Sequence, residues 1–385
     1  MTISRADDSV LGRWWWSVDR WTLGAIGLLF AFGFVLALAA APSAAHRLGD
    51  NGTRLLAKQM VFLAAGGMAM IGISLLSPRE IRRLALIGGA IALALTAATL
   101  VSGVEILGAR RWVRIAGMPV QPSEFLKPCF AVVTAWLLAA HHRNRRFPGA
   151  LIAGAIWLLI VLLLKEQPDV GMTAVLTAVL FIQLFVDGLN LYLVGVGVMA
   201  MLGLAAAAYA MFGHVRMRVA EFLHPTGPHT YQMTMALHAF ANGGLFGRGP
   251  GEGRIKDLLP DAHADFIFAV AGEEYGLIIC AVIVAVFGFI VLRGLLRLLR
   301  EQDPFIALAC TGLLAAFGLQ AFVNMGSSLA LIPTKGMTLP FISYGGSSIA
   351  ASALEIGMLL ALSRRGARED WRRRESHRDA RGEWT

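Results

Sequence analysis

The stretch Ile332-Pro333-Thr334-Lys335-Gly336-Met337-Thr338-Leu339-Pro340-Phe341-Ile342-Ser343-Tyr344-Gly345-Gly346-Ser347-Ser348 lies between two apolar segments near the end of the chain. Its two prolines, three glycines and lone lysine interrupt what hydropathy alone would read as continuous membrane helix. Irregular backbone at membrane depth leaves N–H and C=O groups without helical partners, which is tolerated only against protein or beside a polar cavity. A merely flexible link would be rich in Gly, Ser and Asn. This one mixes prolines with bulky apolar residues and predicts a fixed shape.

The rest of the chain supplies the membrane. A length of 385 residues would suit two soluble domains, but 57% hydrophobic and 15% charged residues exclude an ordinary globular protein. With a mean hydropathy of +0.64, the composition predicts an all-α polytopic membrane protein, a helix bundle in lipid. The net charge of +9 raises nucleic acid as a partner, and its placement argues against it. About 20 of the 34 Lys and Arg fall in segments assigned to the cytoplasm, eight of them after Leu362, as the positive-inside pattern requires. That tail reads as solvated or lipid-facing, not as a nucleic-acid site. Cys129, Cys280 and Cys310 all sit in apolar segments and read as small core residues, not as a disulfide or metal set.

About ten segments meet the length needed to span a bilayer, near 21–41, 55–76, 84–104, 124–140, 149–165, 170–187, 190–212, 265–292, 305–332 and 345–363. Trp14, Trp15, Trp16 and Trp21 predict an aromatic belt at the first interface. The first span lacks a clean cleavage site and reads as uncleaved. Arg79/Arg82/Arg83, Arg143/Arg145/Arg146 and Arg293/Arg297/Arg300 mark one side, together with both termini. The expected organisation is a cytoplasmic segment 1–20, one membrane domain 21–363 and a basic cytoplasmic tail 364–385. The external side then holds 42–54, 105–123, 333–344 and the long loop 213–264 between helices 7 and 8. Loops of that length are usually functional or disordered. Here Tyr231–Phe240 predicts an amphipathic interfacial helix, and the glycines from Gly243 to Gly253 predict tight turns. The loop is expected to fold onto the bundle.

Ionisable residues in or at the ends of spans are costly, so each is a functional candidate. In Gln121-Pro122-Ser123-Glu124-Phe125-Leu126-Lys127-Pro128, Glu124 complements the start of a helix and can pair with Lys127 on the same face. A capped helix start is the plain reading of that pair, and Pro128 predicts an early kink. Just upstream, Arg110-Arg111-Trp112 offers guanidinium groups suited to bidentate phosphate contact. Lys165-Glu166-Gln167-Pro168-Asp169-Val170-Gly171 is either a tight polar turn or a site element carrying Asp169. Arg216 and Arg218 oppose the positive-inside bias, so they either anchor headgroups or hold a pyrophosphate. Asp265, two residues after His263, opens an apolar helix. As a lone Asp it would be an N-cap, or, desolvated, a base with a raised pKa.

Taken in order, Gly108-Ala109-Arg110-Arg111-Trp112, the Gln121 to Lys127 motif, Gln167-Pro168-Asp169-Val170-Gly171, Leu259-Pro260-Asp261-Ala262-His263-Ala264-Asp265-Phe266-Ile267-Phe268-Ala269, Gly272-Glu273-Glu274-Tyr275-Gly276 and Pro340 to Ser348 resemble the SEDS family of bacterial cell-wall proteins (shape, elongation, division, sporulation). The resemblance covers about Trp21 to Arg365. Pro333-Thr334-Lys335-Gly336 is more like the division-type members than the elongation-type ones, which tend to carry an apolar Pro-Val-Val-Gly there. The family's His-Thr-Asp-Phe motif reads His-Ala-Asp-Phe here, with Ala264 in place of the hydroxyl, and its essential aspartate falls on Asp265.

The resemblance implies a glycosyltransferase that polymerises lipid II at the external membrane face beside a class B penicillin-binding transpeptidase and other divisome membrane proteins, with no nucleic acid. Asp265 would be the base. Arg111, Arg216, Arg218 and Lys335 would meet the pyrophosphate, while Glu124, Lys127, Asp169, His263 and Ser343 would shape the substrate cavity. One base suffices, because pyrophosphate leaves without protonation. A divalent cation (Mg2+ or Mn2+) could bridge the pyrophosphate, although no ligand cluster in the sequence demands one. The rival expectation is a lipid II flippase, which broken helices and buried charges also suit. An elongation-type polymerase is the nearer alternative.

Overall fold

The computed structural model describes residues 9–48, 52–106, 109–115, 117–188, 191–211, 213–223, 228–333 and 336–364. Each predicted span has its helix: α2 (Arg20–Leu48), α3 (Gly52–Ser74), α4 (Pro78–Ser102), α5 (Pro122–Arg143), α6 (Gly149–Glu166), α7 (Val170–Val186), α8 (Leu191–Met211), α11 (Ile267–Leu298), α12 (Pro304–Ser328) and α13 (Gly346–Ser363). Eight of these are long and apolar enough to cross a membrane, and Val170–Val186 is a shorter apolar helix. The most hydrophobic windows of α5, α12 and α13 are 78%, 67% and 78% buried, against 22% for α3, α4 and α6. The first three therefore form the centre of the bundle. A helix presenting apolar surface all round is what a lipid-embedded position requires.

Caps and breaks follow from the sequence. Ser77 and Glu80 form a reciprocal capping box at the start of α4, with Pro78 in the first turn. Asp303 caps α12 by itself, accepting from Phe305 and Ile306 N–H. α5 continues uninterrupted through Pro128, so the expected early kink does not break this helix. Packing against α4 and α12 on both sides holds it.

The N-terminal tryptophans do more than mark an interface. Ser9 caps a short helix, α1 (Val10–Ser17), whose Trp14 is buried and donates to Ser74 Oγ at 2.8 Å. Arg20 lies over the Trp15 and Trp16 rings, 5.2 and 4.3 Å from their centroids. Trp16 and Trp21, 39% and 71% exposed, keep the outward position that a belt requires.

The connection between α4 and α5 is an antiparallel meander that the sequence reading did not anticipate: β1 (Val104–Ile106), β2 (Ala109–Ile115) and β3 (Met118–Val120), in the order β1-β2-β3. Ile115 pairs with Met118, and Gly117 beside Met118 has φ +78°, a conformation that favours glycine.

The long connection after α8 is folded onto the bundle, as expected. It carries α9 (Gly213–Leu223), α10 (Pro228–Gly243) and a 3-10 turn at Ile255–Asp257. α10 buries Ala236, Ala239 and Phe240 against α11 and turns Leu237 and His238 outward. Phe240 meets Phe268 edge to face at 5.7 Å.

α11 is broken at Gly276, whose φ of +81° and ψ of 176° are not helical. The glycine-rich loop fills the break. Leu277 N donates to Gly244 O at 3.0 Å, while Arg248 N and Gly249 N donate to Glu273 O and Glu274 O at 2.9 and 3.0 Å. Any side chain at Gly247 or Gly276 would strike the other segment's backbone, at 2.2 and 2.3 Å. Backbone groups freed at membrane depth are thus paired by a second backbone segment, as the apolar surroundings require.

Candidate functional site

The site lies at the end of the bundle where α4, α6 and α12 finish and α5, α7, α11 and α13 begin. Asp265, half-buried, sits in the turn just before α11. The helix N-cap is Phe266, which makes no side-chain cap bond, so Asp265 is not an N-cap residue. Its carboxylate faces the 332–348 stretch: a Cβ built on Gly336 would stand 3.3 Å from Asp265 Oδ2.

Three contacts fix that turn from outside. Ser343 Oγ donates to Ala264 O at 2.6 Å and accepts from Leu339 N at 2.7 Å. Tyr344 N donates to His263 O at 2.9 Å, and the His263 and Tyr344 rings lie 5.5 Å apart. Asn324 Nδ2, from α12, donates to Asp265 O at 2.9 Å and Met337 O at 2.7 Å. The Pro340-Phe341 corner that aims Ser343 holds Phe341 at φ +64°, uncommon for a bulky residue. Stacking on Phe30 at 4.7 Å, and the approach of α2 at Gly33, keep it there.

A buried charged cluster lies one helix deeper. Lys127 donates to Glu124 Oε2 at 2.6 Å and also to Gln320 Oε1. Gln320 Nε2 in turn donates to Thr338 O at 2.9 Å. Glu124 and Lys127 therefore pair as the spacing predicted, and they reach the Asp265 neighbourhood through Gln320. Glu355 of α13, 1% exposed, lies within electrostatic reach of both.

The polar break between α6 and α7 joins from the other flank. Arg111 of β2 donates Nε to Gln167 O at 2.9 Å and Nη2 to Pro168 O at 2.6 Å, with Nη1 3.8 Å from Asp169 Oδ2. Asp169 caps α7 through Met172 N at 3.1 Å. A Cβ on Gly171 would stand 3.1 Å from Met337 Sδ, which ties this break to the same stretch that meets Asp265. Arg111 is thus partly engaged in holding the break, and its Nη1 remains beside Asp169.

Asp265, His263, Ser343, Asp169, Arg111, Glu124 and Lys127 therefore share one region. Arg216 stands apart from them: exposed at the junction of α8 and α9, it donates to Ala210 O at 2.7 Å and lies 6.0 Å from the Tyr209 ring. The Arg218 side chain and Lys335 lie outside the described residues. Among the described residues no group of three His, Cys, Asp or Glu could hold a metal ion, and no step below is routed through one.

Sequence reading passed over Gln320, Asn324 and Glu355. Glu355 carried a signal, since a carboxylate inside an apolar segment is a candidate by default. Neutral amides in α12 carry a weaker one.

Fold and site together define a polytopic membrane protein with a polar centre built around a carboxylate at one end of its helix bundle. The family model described as "Cell cycle protein", covering FtsW, RodA and SpoVE, matches residues 20–367. The chain belongs to this family, in agreement with the SEDS resemblance of its motifs. It is 44% identical over 364 residues to the "Probable peptidoglycan glycosyltransferase FtsW" of Caulobacter vibrioides, covering 94% of this chain and 93% of that one. The protein so named from Geobacter metallireducens is 36% identical over 350 residues, covering 88% and 92%. Among solved structures, one chain of a peptidoglycan synthase complex described for its "coordination of polymerization and crosslinking" superposes with a TM-score of 0.75 at 29% identity, covering 90% of this chain and 97% of that one. The rod shape determining protein RodA of Thermus thermophilus gives 0.66 at 27% identity, covering 91% and 97%.

Proposed function

We propose that this chain is a peptidoglycan glycosyltransferase that polymerises lipid II during septal cell-wall synthesis. The observation that carries the reading is the Asp265 carboxylate, set against Gly336 on a turn whose backbone carbonyls at His263, Ala264 and Asp265 are held by Tyr344, Ser343 and Asn324. Asp265 takes the proton from the acceptor's GlcNAc 4-hydroxyl. That oxygen bonds to C1 of the donor's MurNAc while the bond from C1 to the phosphate oxygen breaks. The new β-1,4 link is formed with inversion, and undecaprenyl pyrophosphate departs with the electron pair.

Negative charge grows on the leaving group, so fixed cations are needed where it forms. Arg111 beside Asp169 is one candidate. Arg216, Arg218 and Lys335, the sequence neighbour of Gly336, are others. The Glu124–Lys127 pair and His263 complete the cavity.

The arginines at the opposite end, from Arg79 to Arg83 and from Arg293 to Arg300, support a cytoplasmic placement for that end and for both termini of this multi-pass inner-membrane protein. A class B penicillin-binding transpeptidase is the proposed partner, with other divisome membrane proteins around it. Both the Pro333-Thr334-Lys335-Gly336 sequence and the names of the similar relatives support the division role.

The test is lipid II polymerisation by purified protein with its transpeptidase partner, comparing wild type with Asp265→Ala. Loss of glycan chains in the variant is expected. Normal chains from the variant would remove Asp265 from the mechanism, and lipid II crossing vesicles without any polymer would favour transport.

A further inference from the structure

We infer that Asn324 is a positioning residue for Asp265, an inference that rests on the glycosyltransferase reading above. α12 presents two buried amides one turn apart, Gln320 and Asn324, both 0% exposed. They face consecutive peptide units of the irregular stretch: Asn324 Nδ2 donates to Met337 O at 2.7 Å, and Gln320 Nε2 to Thr338 O at 2.9 Å. Gln320 Nε2 spends its second bond on the same residue, Thr338 Oγ1, whereas Asn324 reaches the other segment, donating to Asp265 O at 2.9 Å. Both of its partners are carbonyls, which only accept, so the nitrogen must be the atom that faces them.

The two carbonyls belong to segments far apart in sequence. The same two segments meet where the Asp265 carboxylate faces Gly336, one residue before Met337. Without that donor, the one side chain that joins Asp265 O to Met337 O is lost and the two segments part. The carboxylate would then lose the wall that sets its position.

A second observation separates this role from packing. Asn324 Oδ1 is buried and has no hydrogen-bond partner. Leaving a buried acceptor unpaired is unfavourable. An apolar residue of similar size would fill the space without that cost, so the paired donor bonds are what the position requires. Asn324 bonds backbone, not substrate. It therefore governs where the base stands and leaves affinity alone.

The experiment titrates lipid II against wild type, Asn324→Ala, Asn324→Asp and Asp265→Ala, each with the transpeptidase partner. For Asn324→Ala we expect kcat to fall about 100-fold, the scale of an ångström's displacement of a reacting group, with KM held within about two-fold. Asn324→Asp keeps the shape. Ionised, it sets oxygen against oxygen, whereas protonated it donates one of the two bonds. Its activity relative to wild type should therefore rise as pH falls.

Wild-type kcat in Asn324→Ala, a loss confined to KM, or a pH-independent ratio for Asn324→Asp would overturn the positioning role. If Asn324→Ala is recovered unfolded, the Asn324→Asp ratio decides alone. Polymerisation by Asp265→Ala would overturn the underlying reading instead. An inactive Asp265→Ala beside a fully active Asn324→Ala overturns only this inference.

Discussion

Asp265 Oδ2 stands 3.3 Å from the point that a Cβ would occupy on Gly336, so the carboxylate rests on bare backbone. Gly336 is not at a positive φ. Its role here is the absence of a side chain.

Gly336→Ala should consequently lower polymerisation about ten-fold by displacing the carboxylate a few tenths of an ångström, and Gly336→Val should lower it further. Thermal unfolding in detergent should change little. A Gly336→Val variant with wild-type turnover would show that the contact does not set the base.

Arg111 is placed to hold two carbonyls at once, Gln167 O and Pro168 O. A lysine cannot reproduce that fork. Arg111→Lys should keep the charge and yet lower both the melting temperature and the turnover. A variant as stable as wild type that loses only affinity for lipid II would instead assign Arg111 to the pyrophosphate.

The spans and the break at 332–348 were legible, because a lipid-spanning length and a run of Pro and Gly each leave a strong mark in sequence; that Asp265 shares its cavity was readable only through the ordered motifs and the family they resemble. The meander at β1–β3 was not. Its outer strands have three residues each, too short for alternation to show. Trp14 looked like part of a belt, since composition cannot tell an indole at an interface from one that donates to Ser74. Pro128 marked a weak point in α5, but propensity is local, and the helix runs on through it between α4 and α12. Asn324 was hidden for the opposite reason. A neutral amide in an apolar helix becomes informative only once the carbonyls it bonds are known.

At the base of the glycine loop, Glu273 gathers four donors. Its carboxylate accepts from Arg254 N, Ile255 N and Lys256 N at 2.9, 2.9 and 3.0 Å, and from Asn242 Nδ2 at 2.9 Å. Glu273→Ala should destabilise the protein by about 3 kcal/mol, since one buried and three partly buried donors lose a shared acceptor. Glu273→Gln should recover part of that, because its single carbonyl oxygen can still accept. Equal melting temperatures for the two variants would contradict the clamp.

At the opposite end, Asp19 accepts from Arg293 Nε and Nη2 at 2.8 and 2.9 Å, from Arg297 at 2.6 Å and from Thr22 at 2.7 Å. Burial pushes its carboxyl up, but those hydrogen bonds and arginine charges outweigh burial and hold it at about 2, below the ordinary 3.8. A depressed folded value stabilises above the unfolded one. The contribution, about 2 kcal/mol, is therefore complete above pH 4 or so and is lost as pH falls toward 2. Unfolding measured against pH should show this loss in wild type and not in Asp19→Asn. Matching acid profiles would refute it.

The break at Gly276 also bears on biogenesis. Leu277–Leu298, the part of α11 beyond it, is long and apolar enough to be threaded across a bilayer without help. The part from Ile267 to Tyr275 is completed only by backbone from the glycine loop. Insertion and site assembly are therefore separate events in the life of the chain. A protein faulty in the loop would reach the membrane with every helix correctly threaded, pass any quality control that reads topology, and still lack a working centre.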